Sequence, residues 1–212
     1  MNARNVSYSG AFHPLARLLH WLMAILILTM LFIGAGMVST VSEKHEWLLA
    51  IHKPLGATIF VLALIRLGVR LRYPPPPLPA DMPPLMKFLA HASHWLLYTL
   101  MLALPLVGWA MLSAGGYPIS LGGGLHLPPL LPFNGETFAW LRETHRYLAY
   151  LLFFTVLGHM GAALYHGLIR RDGVLASMTF PSRTRVETVV VEPVVLRPAP
   201  GEPPSSGPSP RA

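Results

Sequence analysis

Four histidines occupy positions from which they could bind two metal ions stacked along a helix bundle. His145 and His159 are fourteen residues apart in one apolar stretch, and His20 and His52 lie near the starts of two others. In an α-helix, fourteen steps of about 100° return a side chain to within about 40° of the first and displace it by about 21 Å. One helix could therefore present an imidazole to each of two metal centres.

Composition indicates which elements position these histidines. Hydrophobic residues make up 53% of the chain and charged residues 12%, whereas soluble domains carry about 25% charged residues. Four apolar runs approach the ~20 residues that cross ~30 Å of hydrocarbon; they cover residues 18–38, 48–69, 88–112 and 147–169. The first run is too long for a signal peptide and lacks a cleavage site after it. The predicted fold class is all-α, an integral membrane four-helix bundle.

Lysines and arginines are distributed unevenly around these spans. Twelve of the sixteen lie before the first span, between the second and third, or after the fourth. Positively charged loops stay on the cytoplasmic side of a membrane, so we predict that both termini are cytoplasmic. This topology accounts for the net charge of +7. No basic stripe is interleaved with aromatic residues as nucleic-acid binding would require.

Three segments outside the spans are predicted to be non-helical. The prolines at 74–77 form a stiff connector between spans two and three, and the glycine- and proline-rich residues 114–135 form an ordered or partly ordered outer loop. From Pro181 onward the chain is rich in proline and serine without periodicity, which is typical of disorder. The predicted organisation is a cytoplasmic segment (1–17), a transmembrane domain (18–178) and a disordered cytoplasmic tail (179–212).

Cysteine is absent, whereas ten histidines are present. Without cysteine the chain can form no disulfide, no iron–sulfur cluster and no covalently attached c-type haem. Ionisable side chains inside a bilayer are costly and by default functional. We therefore predict that histidines hold non-covalent haem of the b type.

Depth in the membrane sorts four of these histidines into two pairs. His20 lies about one turn inside the cytoplasmic start of span one, and His159 lies in the cytoplasmic half of span four; we predict that they bind the inner haem iron. His52 lies just inside the outer start of span two and His145 at the outer start of span four; we predict that they bind the outer haem iron. Two bis-histidine haems with irons roughly 20 Å apart would carry single electrons across the membrane.

Other histidines leave the ligand assignment open. His91 and His94 start span three, and either could bind the inner iron; for His94 we favour a role beside the haem or at a quinone, and for His91 an interfacial one. His166 follows His159 by seven residues, but its separation of about 31 Å from His145 makes it the weaker ligand. The remaining histidines are predicted to lie in loops: His13, His45 and His126.

Basic residues next to the predicted ligands could bind the anionic haem propionates. Arg17 precedes the first predicted ligand by about one turn, whereas Lys53 and Arg146 directly follow the two outer ones. We predict propionate contacts for all three. Basic residues are disfavoured on the outer side, so Lys53, Arg142 and Arg146 could also form a patch that steers an anionic electron donor.

Several short motifs together resemble the bacterial cytochrome b561 family. They are Leu18-Leu19-His20-Trp21 in span one, Ile51-His52-Lys53 and the run from Arg66 to Pro74 in span two, Ala90 to His94 and Ala103 to Gly108 in span three, and Glu143-Thr144-His145 and Gly158-His159 in span four. The resemblance covers about residues 13–178, and the long tail departs from it. It implies a four-helix di-haem protein of the inner membrane with His20, His52, His145 and His159 as ligands. It also implies electron exchange with ubiquinone and, as in the best-known bacterial relative, oxidation of superoxide at the periplasmic face.

The predicted function is that of a membrane oxidoreductase that transfers electrons between a periplasmic donor, with superoxide as one candidate, and ubiquinone. The predicted partners are membrane lipid, quinone, and a small anionic donor or a redox protein. An alternative is a membrane-anchor cytochrome b subunit of a larger dehydrogenase, without activity of its own. A third hypothesis, that the histidines line an ion or metal path, predicts no haem.

Overall fold

Four long helices dominate the computed structural model, which describes residues 10–122 and 124–179 of the chain. They are α1 (Pro14–Ser39), α2 (Glu43–Arg72), α3 (Pro84–Ala114) and α4 (Gly135–Leu164). All four are long and apolar enough to cross a membrane. The predicted all-α membrane bundle is confirmed. The predicted tail lies outside the described residues except for Thr179.

Helix boundaries follow local chemistry and extend beyond the predicted apolar runs. The Asn134 side chain accepts a hydrogen bond from the Thr137 amide at 2.9 Å, which caps α4 twelve residues before the predicted start of span four. His145, which was predicted to lie at the outer start of span four, therefore lies ten residues after the first residue of the helix. The prediction that His45 lies in a loop is wrong, because it lies in the first turn of α2.

The outer connection between α3 and α4 contains a small antiparallel hairpin instead of only a loop. Strands β1 (Ile119–Gly122) and β2 (Leu125–Leu127) pair with each other, so the predicted loop residue His126 lies on a strand. The Trp109 indole donates to the Pro128 carbonyl at 2.8 Å. The Ser113 hydroxyl accepts from the Leu130 amide at 3.0 Å. These two bonds tie the end of the hairpin to the outer end of α3.

At its C-terminal end α4 changes its winding, and the chain then turns. A π-helical turn, Tyr165–Arg170, follows α4 directly, and Arg171 adopts a left-handed conformation with φ of 51°. The chain then forms a short helix, α5 (Val174–Thr179). The Trp21 indole donates to the Met178 carbonyl at 3.0 Å, so α5 is fixed against α1.

The bundle has a narrow apolar core and an apolar exterior. α1 packs along α2, α3 packs along α4, and α2 contacts α3. The core consists of Met23, Ile27, Ile59, Ala63, Tyr98, Leu100, Met101, Leu104 and Leu152. Large apolar side chains also cover the outside, as shown by Phe32 and Phe154, which are 78% and 63% exposed. Such a surface suits lipid rather than water.

Candidate haem sites

The outer pair of histidines faces across the bundle between α2 and α4. The ring centroids of His52 and His145 are 6.2 Å apart, and their planes are inclined by 64°. Within the described chain, neither Nδ1 atom makes a hydrogen bond, although both are buried. A Cβ placed on Gly108 would lie 3.3 Å from Cε1 of His145. Glycine therefore lets α3 approach this ring closely.

The inner pair repeats this arrangement between α1 and α4. The ring centroids of His20 and His159 are also 6.2 Å apart, with an interplanar angle of 71°. On α4 this pair is fourteen residues from the outer one, which corresponds to about 21 Å along the axis. The structure therefore brings together the two predicted pairs of side chains, each with the same ring separation.

His94 joins the inner pair as a third imidazole. Its ring centroid lies 5.2 Å from that of His159, and its Nδ1 donates to the Ala90 carbonyl one turn earlier on α3. This bond fixes the tautomer and leaves Nε2 as an acceptor. His91 is exposed, and its Nδ1 donates to the Lys87 carbonyl at 2.7 Å. The structure thus places only one of these two histidines beside the inner pair.

His166 belongs to a different cluster, which lies just beyond the C-terminal end of α4. Its Nδ1 donates to the Asp172 carboxylate at 2.6 Å, and the same oxygen accepts from Nε of Arg170 at 3.0 Å. Arg170 also pairs with Asp81 at 2.8 Å. The His166 ring is 9% exposed and contacts that of Tyr165. These contacts account for its burial without a metal ion.

An apolar layer separates the two histidine pairs. Leu152 lies seven residues from both His145 and His159 on α4, and it is buried with Ile59 of α2 and Leu104 of α3 in one cluster. Met23 and Ile27 of α1 belong to the same cluster. Apolar side chains from all four helices therefore pack between the two pairs.

The basic residues predicted to lie beside the outer or inner haem differ in whether they form ion pairs within the protein. Arg146 is ion-paired with Glu143, and its guanidinium lies 5.0 Å from the centroid of the Tyr147 ring. Among the described residues, Arg17, Lys53 and Arg142 form no ion pair with a carboxylate. The propionate contacts of Arg17, Lys53 and Arg146 remain predictions.

Arg66 is a site residue whose role was not predicted. Its Nη2 donates to Nδ1 of His20 at 2.8 Å, across 46 residues of sequence. The sequence held one signal for it: Arg66 follows His52 by fourteen residues, which is the interval that separates the two histidines of α4. Because α2 carries His52 at the level of the outer pair, a residue fourteen positions later lies on nearly the same face of the helix at the level of the inner pair.

The donor set fits a haem better than a metal ion held by protein alone. Each centre offers two facing imidazoles, and in the described part of the chain no group of three or more His, Asp or Glu side chains converges as a metal site. The helices that carry each pair, α1 with α4 and α2 with α4, are not among the closely packed pairs of the bundle. A haem would occupy such a gap and would supply the other ligands of its iron. Four apolar helices with facing histidine pairs define a membrane cytochrome of the b type.

Comparison with known proteins agrees with this class. The sequence model of prokaryotic cytochrome b561 matches residues 11–181, and the chain belongs to that family. It is similar to the probable superoxide oxidase CybB of Yersinia pestis, with 31% identity over 76% of this chain and 90% of the relative. It is also similar to cytochrome b561 homolog 2 of Escherichia coli, with 32% identity over 75% and 86% of the two chains. Cytochrome b561 homolog 1 of the same organism is 29% identical over 76% and 92%.

Membership of this family confirms the coarser predictions. The chain is a prokaryotic multi-pass membrane cytochrome that binds b-type haem, and its role is that of an oxidoreductase or electron carrier.

Proposed function

We propose that this chain transfers electrons from a donor at the outer face of the bacterial inner membrane to ubiquinone, using two non-covalent b-type haems. In this proposal His52 and His145 would hold the outer haem through its iron, and His20 and His159 would hold the inner haem. The observation that carries the proposal is the repeated ring separation of 6.2 Å at two depths of one bundle.

That separation suits two imidazoles that bind one ion from opposite sides. A metal–imidazole bond is about 2 Å long and a ring nitrogen lies about 1.2 Å from its ring centroid, so the two centroids would be about 6.4 Å apart. The His94 and His159 centroids, at 5.2 Å, are too close for this arrangement. The separation therefore favours His20 over His94 as the partner of His159.

Two strong ligands per haem favour electron transfer over binding of a small molecule at the metal. When bound, each haem supplies a one-electron iron couple whose potential the protein tunes through ligands, hydrogen bonds and burial. The histidines hold the two couples at fixed depths, and the apolar layer around Leu152 keeps ions from crossing between them. Electrons can then cross the bilayer without an ion leak.

Superoxide is the donor that the outer face suits best. Lys53 and Arg142 form no ion pair in the described part of the chain, and cations beside a redox site steer small anions to it. Oxidation of two superoxide anions gives two molecules of dioxygen and two electrons; these electrons and two protons convert one ubiquinone to ubiquinol. The similarity to a probable superoxide oxidase supports this donor.

Orientation in the membrane follows from the uneven charge distribution. Twelve of the sixteen basic residues of the sequence lie on the side that carries the termini, and such an excess marks the cytoplasmic side. We therefore propose that both termini lie in the cytoplasm and that the hairpin lies in the periplasm.

Optical spectroscopy with haem quantification tests the proposal. Purified full-length protein should contain two haems per chain, and its reduced-minus-oxidised spectrum should show the α-band of b-type haem. Superoxide added anaerobically with a soluble ubiquinone should yield ubiquinol. A single haem per chain would contradict the two-site assignment, and haem reduction by superoxide without ubiquinol formation would contradict the proposed acceptor.

A further inference from the structure

Two arginines beside the inner histidine pair have no carboxylate partner among the described residues. The guanidinium groups of Arg66 and Arg70 each lie 5.7 Å from the centroid of the Tyr98 ring. The acidic side chains described at this end of the bundle, Asp81 and Asp172, both pair with Arg170. Two positive charges are therefore only partly exposed on a membrane helix without an acid to balance them.

An anion bound between these two arginines would balance their charge. A charge removed from water is costly unless it is paired, and the cost is greater within a membrane span. Arg66, Arg70 and Tyr98 line one small cavity, together with Tyr73 and apolar side chains that include Phe12 and Met178. A planar guanidinium binds a carboxylate with two parallel hydrogen bonds, which makes arginine the preferred partner for that group.

The hydrogen bond between Arg66 and His20 shows where the anion should lie. Arginine only donates hydrogen bonds, so Nδ1 of His20 is an acceptor in this bond, and the neutral ring carries its proton on Nε2. Binding of a metal through Nε2 requires the other tautomer, with the proton on Nδ1. His20 can therefore either accept the hydrogen bond from Arg66 or bind a metal, but not both. When a haem is bound at His20, the Arg66 guanidinium is free to bind another acceptor.

We propose that Arg66 and Arg70 bind a propionate carboxylate of the inner haem, next to Tyr98. This inference rests on the proposed function, because it requires that His20 and His159 hold a haem. Both arginines lie within two turns of the C-terminal end of α2. A carboxylate bound there would lie close to the membrane surface and away from the hydrocarbon. The positive charge then sets the potential of that haem above the value it would have without them.

Spectroelectrochemical titration of the full chain in lipid nanodiscs tests this inference. Arg66→Gln and Arg70→Gln should each shift the midpoint potential of one haem downward, because loss of a nearby cation stabilises the ferric state. The other haem should keep its potential. Arg66→Lys should give a smaller shift, since lysine preserves the charge but not the two parallel bonds.

Arg72→Gln is the matched control, because Arg72 lies on the same helix end but contacts the Tyr73 ring from outside the cavity; it should shift neither potential. Nanodiscs of phosphatidylcholine alone and with phosphatidylglycerol separate a propionate from a lipid phosphate. A shift seen only with the anionic lipid would overturn the inference in favour of the headgroup. Two haems with unchanged potentials in both arginine variants would also overturn it and leave the proposed function standing, whereas protein without haem would refute the proposed function itself.

Discussion

The outer and inner histidine pairs share one ring separation but lie in different electrostatic surroundings. The buried Nδ1 atoms of His52 and His145 both lack a hydrogen bond among the described residues. The inner pair contacts a third imidazole and a guanidinium, from His94 and Arg66. Two sites with the same ligands can therefore have different potentials, because the protein tunes a haem through the charge and hydrogen bonds around it. The more positive inner site should hold an electron more tightly, which favours inward flow.

Substitution of a single predicted ligand should have the largest effect, because it should remove one haem and leave the other. His52→Ala should remove the outer haem and His20→Ala the inner one, so each variant should keep about one haem per chain, as each retains one of the two bis-histidine sites. The haem left in His52→Ala should have the higher midpoint potential. Haem content and redox titration measure both effects.

His166→Ala is the control for these ligand variants, and it should retain two haems. If it lost the haem that His20→Ala also loses, the inner ligand would be His166 and the assignment to His159 would be wrong.

Overpacking at Gly108 should disturb the outer pair alone. A leucine there would push against the His145 ring, because even a Cβ would lie 3.3 Å from Cε1; such crowding costs about 1–3 kcal/mol. We expect several-fold less outer haem and unchanged inner haem, as measured by the amplitudes of the two redox transitions. Gly68→Leu, at a position with no atom within 4 Å of an added Cβ, should change neither amplitude.

Charge removal from the buried cytoplasmic cluster should affect stability rather than haem content. Asp172→Asn keeps the shape of the side chain but removes the charge that pairs with both His166 and Arg170. Loss of one partner from a buried ion pair costs about 3 kcal/mol. Denaturant unfolding should detect this loss while both haems remain. In the N-terminal half of α4, Arg146→Gln breaks an exposed pair with Glu143 and should leave the unfolding midpoint unchanged.

Neutralisation of the outer cations should have the smallest effect, and only on the rate. The double variant Lys53→Gln, Arg142→Gln should slow the reduction by superoxide about three- to tenfold at low ionic strength, because steering depends on positive charge. The difference should vanish at high salt, where charges are screened. Stopped-flow absorbance measures the rate, with Arg171→Gln at the opposite end as the control. Equal rates at low salt would argue against superoxide steering by this patch.

The sequence was sufficient to predict the helices and to match histidines by depth, because both follow from apolar length and helical periodicity. Four runs of sufficient length predicted four spans, and the fourteen-residue interval on α4 predicted two levels. The contact of Arg66 with His20 could not be predicted in this way, because it depends on how α2 is rotated against α1. Periodicity fixes the relative positions of residues within one helix but not the angle between two helices.

Features at the ends of the helices were also beyond the reach of hydropathy. α4 begins at Gly135 because Asn134 caps it, although the residues that follow are too polar to count as a span. The hairpin after Ser113 is held by hydrogen bonds between residues distant in sequence, such as that from Trp109 to Pro128. Apolar runs indicate where a helix crosses the membrane, but capping groups determine where it begins and ends.

Because the apolar layer at Leu152 separates the two histidine pairs along the membrane normal, electron transfer between the two proposed haems would be sensitive to the membrane potential. With the two pairs about 21 Å apart in a hydrocarbon core of about 30 Å, an electron that moves between them crosses roughly two thirds of the membrane potential. A full crossing corresponds to about 2.3 kcal/mol per 100 mV, so each inward transfer would work against about 1.5 kcal/mol at that voltage. Electrons that reach the inner side would add to the negative charge there. The distribution of electrons between the two haems should consequently differ between detergent and energised vesicles.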